Sequence, residues 1–333
     1  MRDIKFRAEN TMYFVYNYTA HNLVFVDNPV IEKVVFSLLA STQRSVDGVD
    51  VCCFTFTPSG YEMILRNDTG DISVFMQLFD RLCTVMFKKL LGVSYQSIWI
   101  GRFKEKVLPT YQSVVYKMSS IYLKPLVLGL TDSVQSYGLS SYSYFQRVLT
   151  EGDEVEEIGI NIESRHLKKI SKDITETEEK ELLEGFEKKR KRKRGEIKLV
   201  IKPLIWKKCF KETKDSTNRC LVNIVKKELK RQKRVNKLKI DKAYKENKDK
   251  RNPSLSAIYN TYTPVKWRRD GPYFFCLEKK LTDKIMEFYR EYCRECALAY
   301  EVWKQTGIVS YPAGAFVPSG PPKESFSLGK PFW

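Results

Sequence analysis

The side chains that most often do chemistry are scarce in this chain. Only two of its 333 residues are histidine. His21 falls in an expected turn after the first strand and His166 in a charged segment, and both read as exposed imidazoles rather than catalysts. A metal site would have to be built from carboxylates. Glu62, Asp68 and Asp71 lie close in sequence, but nothing in their spacing fixes them in one coordination shell. Of the eight cysteines, Cys52 and Cys53 sit in a strand-like run and are expected to be reduced core thiols. Cys293-x-x-Cys296 has the spacing of half a zinc site, yet it lies in a helical pattern, and only Cys276 or the distant Cys209 and Cys220 could complete it. There is no phosphate-binding glycine loop, no G-x-S-x-G and no metalloprotease helix. Neither a cofactor nor a metal is expected.

Charge carries more information. The formal net charge is +18, and residues 186–251 hold 27 Lys and Arg against eight Asp and Glu, a net of +19. The rest of the chain is near neutral. A field of this size calls for a polyanionic partner, and the basic segment lacks the apolar face that membrane anchoring requires. Nucleic acid is the expected partner. The candidate contacts are the run Lys188, Lys189, Arg190, Lys191, Arg192, Lys193 and Arg194, the helical cations Lys226, Lys227, Lys230, Arg231 and Arg234, and the pair Arg268 and Arg269 beside Trp267, where aromatics could stack unpaired bases. No apolar run approaches the ~20 residues needed to span a bilayer, and no signal-type segment follows Met1. The protein is expected to be cytoplasmic, nucleoid-associated or part of a nucleoprotein particle, with protein subunits as further partners.

The elements that would position these groups follow from periodicity. Met12 to Tyr18 should be a strand, Asn28-Pro29 the start of a helix to about Gln43, and Val51–Phe56 and Tyr61–Leu65 a hairpin turning at Pro58-Ser59-Gly60. Gly60 and Glu62 are two apart on one strand, so they project from the same face. Asp71 should cap a helix with Val74, Phe75, Leu78, Leu82, Val85, Met86 and Leu90 on one face and Gly92 at its end. Ile98–Val107 is extended, and Tyr111–Leu123 a helix stopping before Pro125. The order predicts an α+β fold, an antiparallel sheet covered by helices, followed by a basic, mainly helical region. The expected divisions are 1–150, a nucleic-acid-binding domain; 151–185, an acidic linker with a helix from about Thr175; and 186–251, the basic segment with one long helix, Asn218–Tyr244. After these come 252–310, with a strand in Thr261–Leu277 and an amphipathic helix over Leu281–Trp303, and 311–333, a proline-rich tail.

Four phrases in this order resemble one family. Thr57-Pro58-Ser59-Gly60-Tyr61-Glu62 stands in the place of the M-P-N-H-x-H turn of the HUH single-tyrosine transposases, especially the REP-associated group. Ile98 to Lys104 looks like their W-Q-G-R-F-K segment, Ile121 to Leu130 like the end of Y-I-x-x-N-P-x-x-x-G-L, and Tyr137 to Tyr142 like Y-x-W-S-S-Y. The resemblance covers about residues 10–145. It implies an HUH sheet, recognition of hairpins and adjoining single strands, and a metal held by two histidines while a tyrosine attacks the phosphate. Here Gly60 and Glu62 take the histidine positions and Ser120 the tyrosine position; Tyr116, one helical turn earlier, is the surviving nucleophile candidate, and Tyr122 faces elsewhere. Within the resembling phrases Arg102 and Lys104 are expected at phosphates, Trp99 in the core, Gly101 in backbone geometry, and Ser140, Ser141 and Tyr142 at a turn. The expectation is a catalytically inactive, transposase-derived protein that holds structured or single-stranded DNA or RNA within a nucleoprotein complex. The alternatives are an active strand transferase using Tyr116 and a carboxylate-held metal, and a protein-interaction scaffold.

Overall fold

Four antiparallel strands organise the molecule: β2 (Thr11–Tyr18), β3 (Val49–Thr57), β4 (Gly60–Asn67) and β5 (Lys104–Leu108), in the order β3-β4-β2-β5. The computed structural model describes residues 5–20, 25–69, 71–93, 98–190, 196–247, 251, 253–259, 272–307, 310–316, 327–331 and 333. The hairpin register pairs Thr57 with Gly60 and Thr55 with Glu62, and β2 sets Tyr16 opposite both Glu62 and Lys104. Alternation then divides the side chains. Tyr13, Phe54, Phe56, Tyr61 and Met63 face one layer, and Phe14, Tyr16, Glu62, Lys104 and Lys106 face the other.

Helices α1 (Pro29–Ser45) and α2 (Ile72–Leu91) form the first layer. Both caps are the expected ones: the Asn28 and Asp71 side chains accept from the backbone N–H groups of Val30 and Ser73, and Gly92 closes α2 in the left-handed region at φ 67°. The buried face of α2 is rotated from expectation. Ile72, Phe75, Met76, Phe79, Cys83 and Phe87 point inward, while Val74 and Val85 are exposed, because aromatic contacts with Tyr61 and Phe25 fix the helix orientation.

On the other face lies α3 (Tyr111–Val127), which runs through Pro125 instead of stopping before it. Proline removes one donor in the last turn, and burial of Ile121, Tyr122, Pro125 and Leu126 offsets that loss. Next come α4 (Tyr142–Glu151), the ribbon of β6 (Val155–Ile160) with β7 (Glu196–Ile201), and α5 (Glu176–Arg190). The ribbon packs on α1, where Gln43 exchanges two hydrogen bonds with the Val200 backbone. The acids of this segment are therefore not merely solvated. Asp153 pairs with Lys207 at 2.6 Å, Glu154 with Lys202 at 2.9 Å, and Glu156 with Lys198.

The basic segment forms two helices, not one. α6 (Asn218–Val235) ends at Asn236, and α7 (Lys237–Glu246) begins directly after it. The apolar stripe is interrupted there: Leu221 and Val225 before the break and Ile240 after it are buried, but Val235 and Leu238 are among the most exposed apolar side chains. Leu221 and Val225 belong to a core that reaches from Met12 in β2 to Ile285 in α8 (Lys279–Thr306). Tyr273 and Phe275 exchange backbone hydrogen bonds with Val107 and so extend the β5 edge. A smaller cluster joins Phe6, Tyr292, Cys296 and Tyr311 where β1 (Lys5–Phe6) pairs with β8 (Ala315–Phe316). All eight cysteines are unbridged, and among the described residues no helix is long and apolar enough to cross a membrane.

Candidate nucleic-acid interface

The turn of the β3–β4 hairpin puts Gly60 at φ 145°, where L side chains are strained. A Cβ there would stand 2.0 Å from the Asn17 carbonyl oxygen, so β2 leaves no room for any side chain. Its strand neighbour Glu62 is engaged instead of open. Lys124 of α3 donates to its Oε1 at 2.5 Å, with both side chains largely covered. Burial would pull the Lys124 ammonium down, but the adjacent carboxylate outweighs that and holds it above the usual lysine value.

Two turns earlier on the same helix face, Lys117 sits 4.6 Å from the ring centroid of Phe14 and 4.2 Å from that of Phe275. Burial, with Lys106 and Lys124 adding like charge, lowers it to about 8 despite Glu62 nearby. Stacked rings flank the amine: Phe14 on Tyr16 at 5.2 Å and Tyr116 on Phe275 at 5.6 Å. The sheet face beside α3 thus gathers Lys106, Lys117 and Lys124 around one carboxylate and two aromatic stacks. The clustered amines favour an anion, while the Phe14 and Tyr16 rings are themselves buried and the Tyr116 and Phe275 rings half-buried. These three lysines were not singled out from sequence, although the seven-residue spacing of 117 and 124 and the strand alternation of 104 and 106 carry the signal.

The other candidates are scattered. Arg102 is exposed and Lys104 half-buried at the start of β5. Neither is an ion-pair partner of the acids between 151 and 157, which hold Arg147, Lys198, Lys202 and Lys207. Gly101 is not among the positive-φ glycines and has open space at its Cβ position, so no close approach calls for glycine there. Trp99 is buried and donates to the Asp80 carbonyl oxygen at 3.1 Å. Ser140 and Ser141 tie the approach of α4 to the β3 edge, Ser141 Oγ accepting from the Phe54 N–H at 2.8 Å. Tyr122 is fully buried against Tyr142 and Phe145, while Ser120 is half-buried.

The weak carboxylate grouping separates in space: Glu62 pairs with Lys124, Asp68 with Arg66 at 3.1 Å, and Asp71 caps α2. Among the described residues no group of three or more His, Cys, Asp or Glu side chains could hold a metal ion. His21 lies outside the described residues, and His166 ends a short 3-10 turn.

The cationic arm rests on α3. Gln232 donates to the Tyr116 carbonyl oxygen at 2.9 Å, and Val222 and Val225 are buried in the same contact. On the opposite side Lys226, Lys227, Lys230 and Arg234 are exposed, whereas Arg231 is held at 2.7 Å by Glu228. The cation run begins inside α5, with Lys188 exposed and Lys189 and Arg190 in the last turn. Lys191, Arg192, Lys193, Arg194, Arg268 and Arg269 lie outside the described residues.

No family model and no curated protein matches the chain. Among solved structures it is similar to one described as a REP-associated tyrosine transposase bound to a REP hairpin, with a TM-score of 0.35 and 16% identity over 46% of this chain and 86% of that one. The likeness is distant, and the functional reading rests on the geometry of the chain itself.

Proposed function

We propose that this protein binds structured or single-stranded nucleic acid without cutting it, as a subunit of a nucleoprotein complex. The observation that carries the reading is the exchange at the β3–β4 hairpin: Gly60 cannot bear a ligand, Glu62 is engaged by Lys124, and Lys106 and Lys117 add positive charge to the same face. Carboxylate chemistry that would hold a cation gives way to amines that would hold a phosphate. The sheet face beside α3 supplies shape recognition, and the exposed cations of α6 supply most of the affinity.

The test is titration of the full chain with labelled DNA and RNA hairpins at several salt concentrations. Each phosphate neutralised should contribute about −0.7 to −0.9 to the log–log slope. Binding that is absent or insensitive to salt would favour a protein scaffold. A covalent adduct with hairpin DNA in Mg²⁺ or Mn²⁺, abolished by Tyr116→Phe, would instead establish an active strand transferase.

A further inference from the structure

The two most exposed large apolar side chains reported among the described residues are neighbours, at the break between α6 and α7. Val235 is 73% and Leu238 84% exposed. Fraying does not explain them, because the break is anchored on both sides. Before it, Gln232 is buried and bonded to α3, and the Asn236 side chain donates back to the Gln232 carbonyl oxygen at 2.9 Å. After it, Ile240 is buried, and the Ala243 carbonyl presses so closely on Gly129 that a Cβ there would stand 2.2 Å away. Asn247 then donates to the Leu128 carbonyl oxygen at 3.1 Å. Two helices docked on one support thus hold an apolar apex out in water.

Its surroundings say what could cover it. Lys233, Arg234, Lys237 and Lys239 are all exposed within three residues of the apex, and no acid interrupts the stretch from 233 to 240. An apolar protein face would have to desolvate four cations to reach Val235 and Leu238. A duplex offers the complementary pattern, with phosphates on both sides of a groove and, once a base step is parted, apolar base faces between them.

We propose that Val235 and Leu238 form a wedge that enters the minor groove of double-stranded DNA and unstacks one base step, while the flanking cations hold the phosphates on either side. This rests on the nucleic-acid reading above and adds the kind of substrate and the mode of contact. The DNA form follows from the wedge's chemistry. The minor groove of RNA is lined by 2′-hydroxyls, which two aliphatic side chains would bury without partners, whereas the deoxyribose walls of DNA need none.

The test uses the full chain and a DNA hairpin whose A·T-rich stem carries 2-aminopurine at a TA step, the step most easily unstacked. Binding should raise the 2-aminopurine fluorescence. In V235S/L238S, whose helical signal and melting should match the parent because both sites are exposed, the rise should vanish and affinity should fall about tenfold with the salt slope unchanged. Salt-dependent binding without a fluorescence rise, or an unaltered rise in the double variant, overturns the wedge but leaves nucleic-acid binding intact. Equal unstacking of an RNA stem overturns the assignment to DNA. Loss of anionic-vesicle binding in the variant, with DNA binding unaffected, makes the apex a membrane contact instead. If the parent binds no nucleic acid even at low salt, the broader reading fails first.

Discussion

On the proposed function, Lys117 sets binding against stability at a single residue. Its ammonium is pressed between the Phe14 and Phe275 rings, with Glu62 attracting it and Lys106 and Lys124 adding repulsion. The folded value of about 8 lies below that of a free lysine, so the folded state binds fewer protons between pH 8 and about 10.4, and stability rises with pH across that window. Below pH 8 the buried charge destabilises the fold, on the order of 3 kcal/mol. Lys117→Met should therefore melt higher than the parent at pH 7 and yet bind nucleic acid more weakly. The parent's affinity should decline between pH 7.5 and 9.5, and the variant's should decline less; titrations across that range check both. None of this was visible in the sequence, because the lysine's surroundings come from three elements, and its ring partner Phe275 lies far along the chain. By contrast, Gly60 and Glu62 were legible as a pair on one face, since strand alternation is a local rule. What locality could not give is the Asn17 carbonyl that closes position 60.

At the scale of elements, the β5 edge is fixed by a buried ion pair. Arg7 donates to both oxygens of Glu105, at 2.5 and 2.8 Å, and to Ser73 of α2 at 2.7 Å, while Tyr273 donates to Glu105 Oε1 at 2.7 Å. The clamp thus fastens the N-terminal stretch, α2, β5 and the strap at Tyr273–Phe275 together. Burial would push the Glu105 carboxyl up, but Arg7 and Lys5 pull it down to about 2. Its contribution to stability is present above the unfolded value near 4.3 and is lost as pH falls toward 2. Glu105→Gln leaves a guanidinium buried without its counter-charge and should destabilise the fold by about 3 kcal/mol or more at pH 7. Denaturant titrations at pH 7 and pH 3 should show a smaller gap between the two conditions in the variant than in the parent. Elements with local signals, such as the Asn28 and Asp71 caps, the Gly92 stop and the hairpin, were legible in sequence. The break at Asn236 and the passage of α3 through Pro125 were not, because docking on α3 and burial of that helix's last turn decide them. The β6–β7 ribbon was hidden for a related reason: acidic residues read as solvated until a second strand brings lysines across from them.

Across the whole molecule, charge and packing divide the chain differently. Composition marks changes near residues 150, 186 and 251, yet one buried core runs from Met12 to Ile285. The tail contributes as well. β8 pairs with β1, Gly329 bridges to Ala8, and the Trp333 ring meets Phe6 at 5.8 Å and Phe274 at 5.7 Å. Deleting residues 311–333 uncovers the Phe6 ring and the Tyr292 face of α8, and should lower stability by about 3 kcal/mol. A thermal melt of the shortened chain checks this, with a drop of several degrees as the expected result. The proline content of this stretch signalled extended structure, but the place where it docks depends on pairing with residues about 310 positions away.

That pairing also sets an order in time. Phe6 emerges before Ala315, its partner across the ladder, which follows roughly 15–60 s later at ordinary elongation rates. The four-stranded sheet can close long before then, leaving the Phe6 edge uncovered beside a finished core. For that interval the edge at Phe6 is most open to mispairing, and the strand that ends the exposure is the one made later.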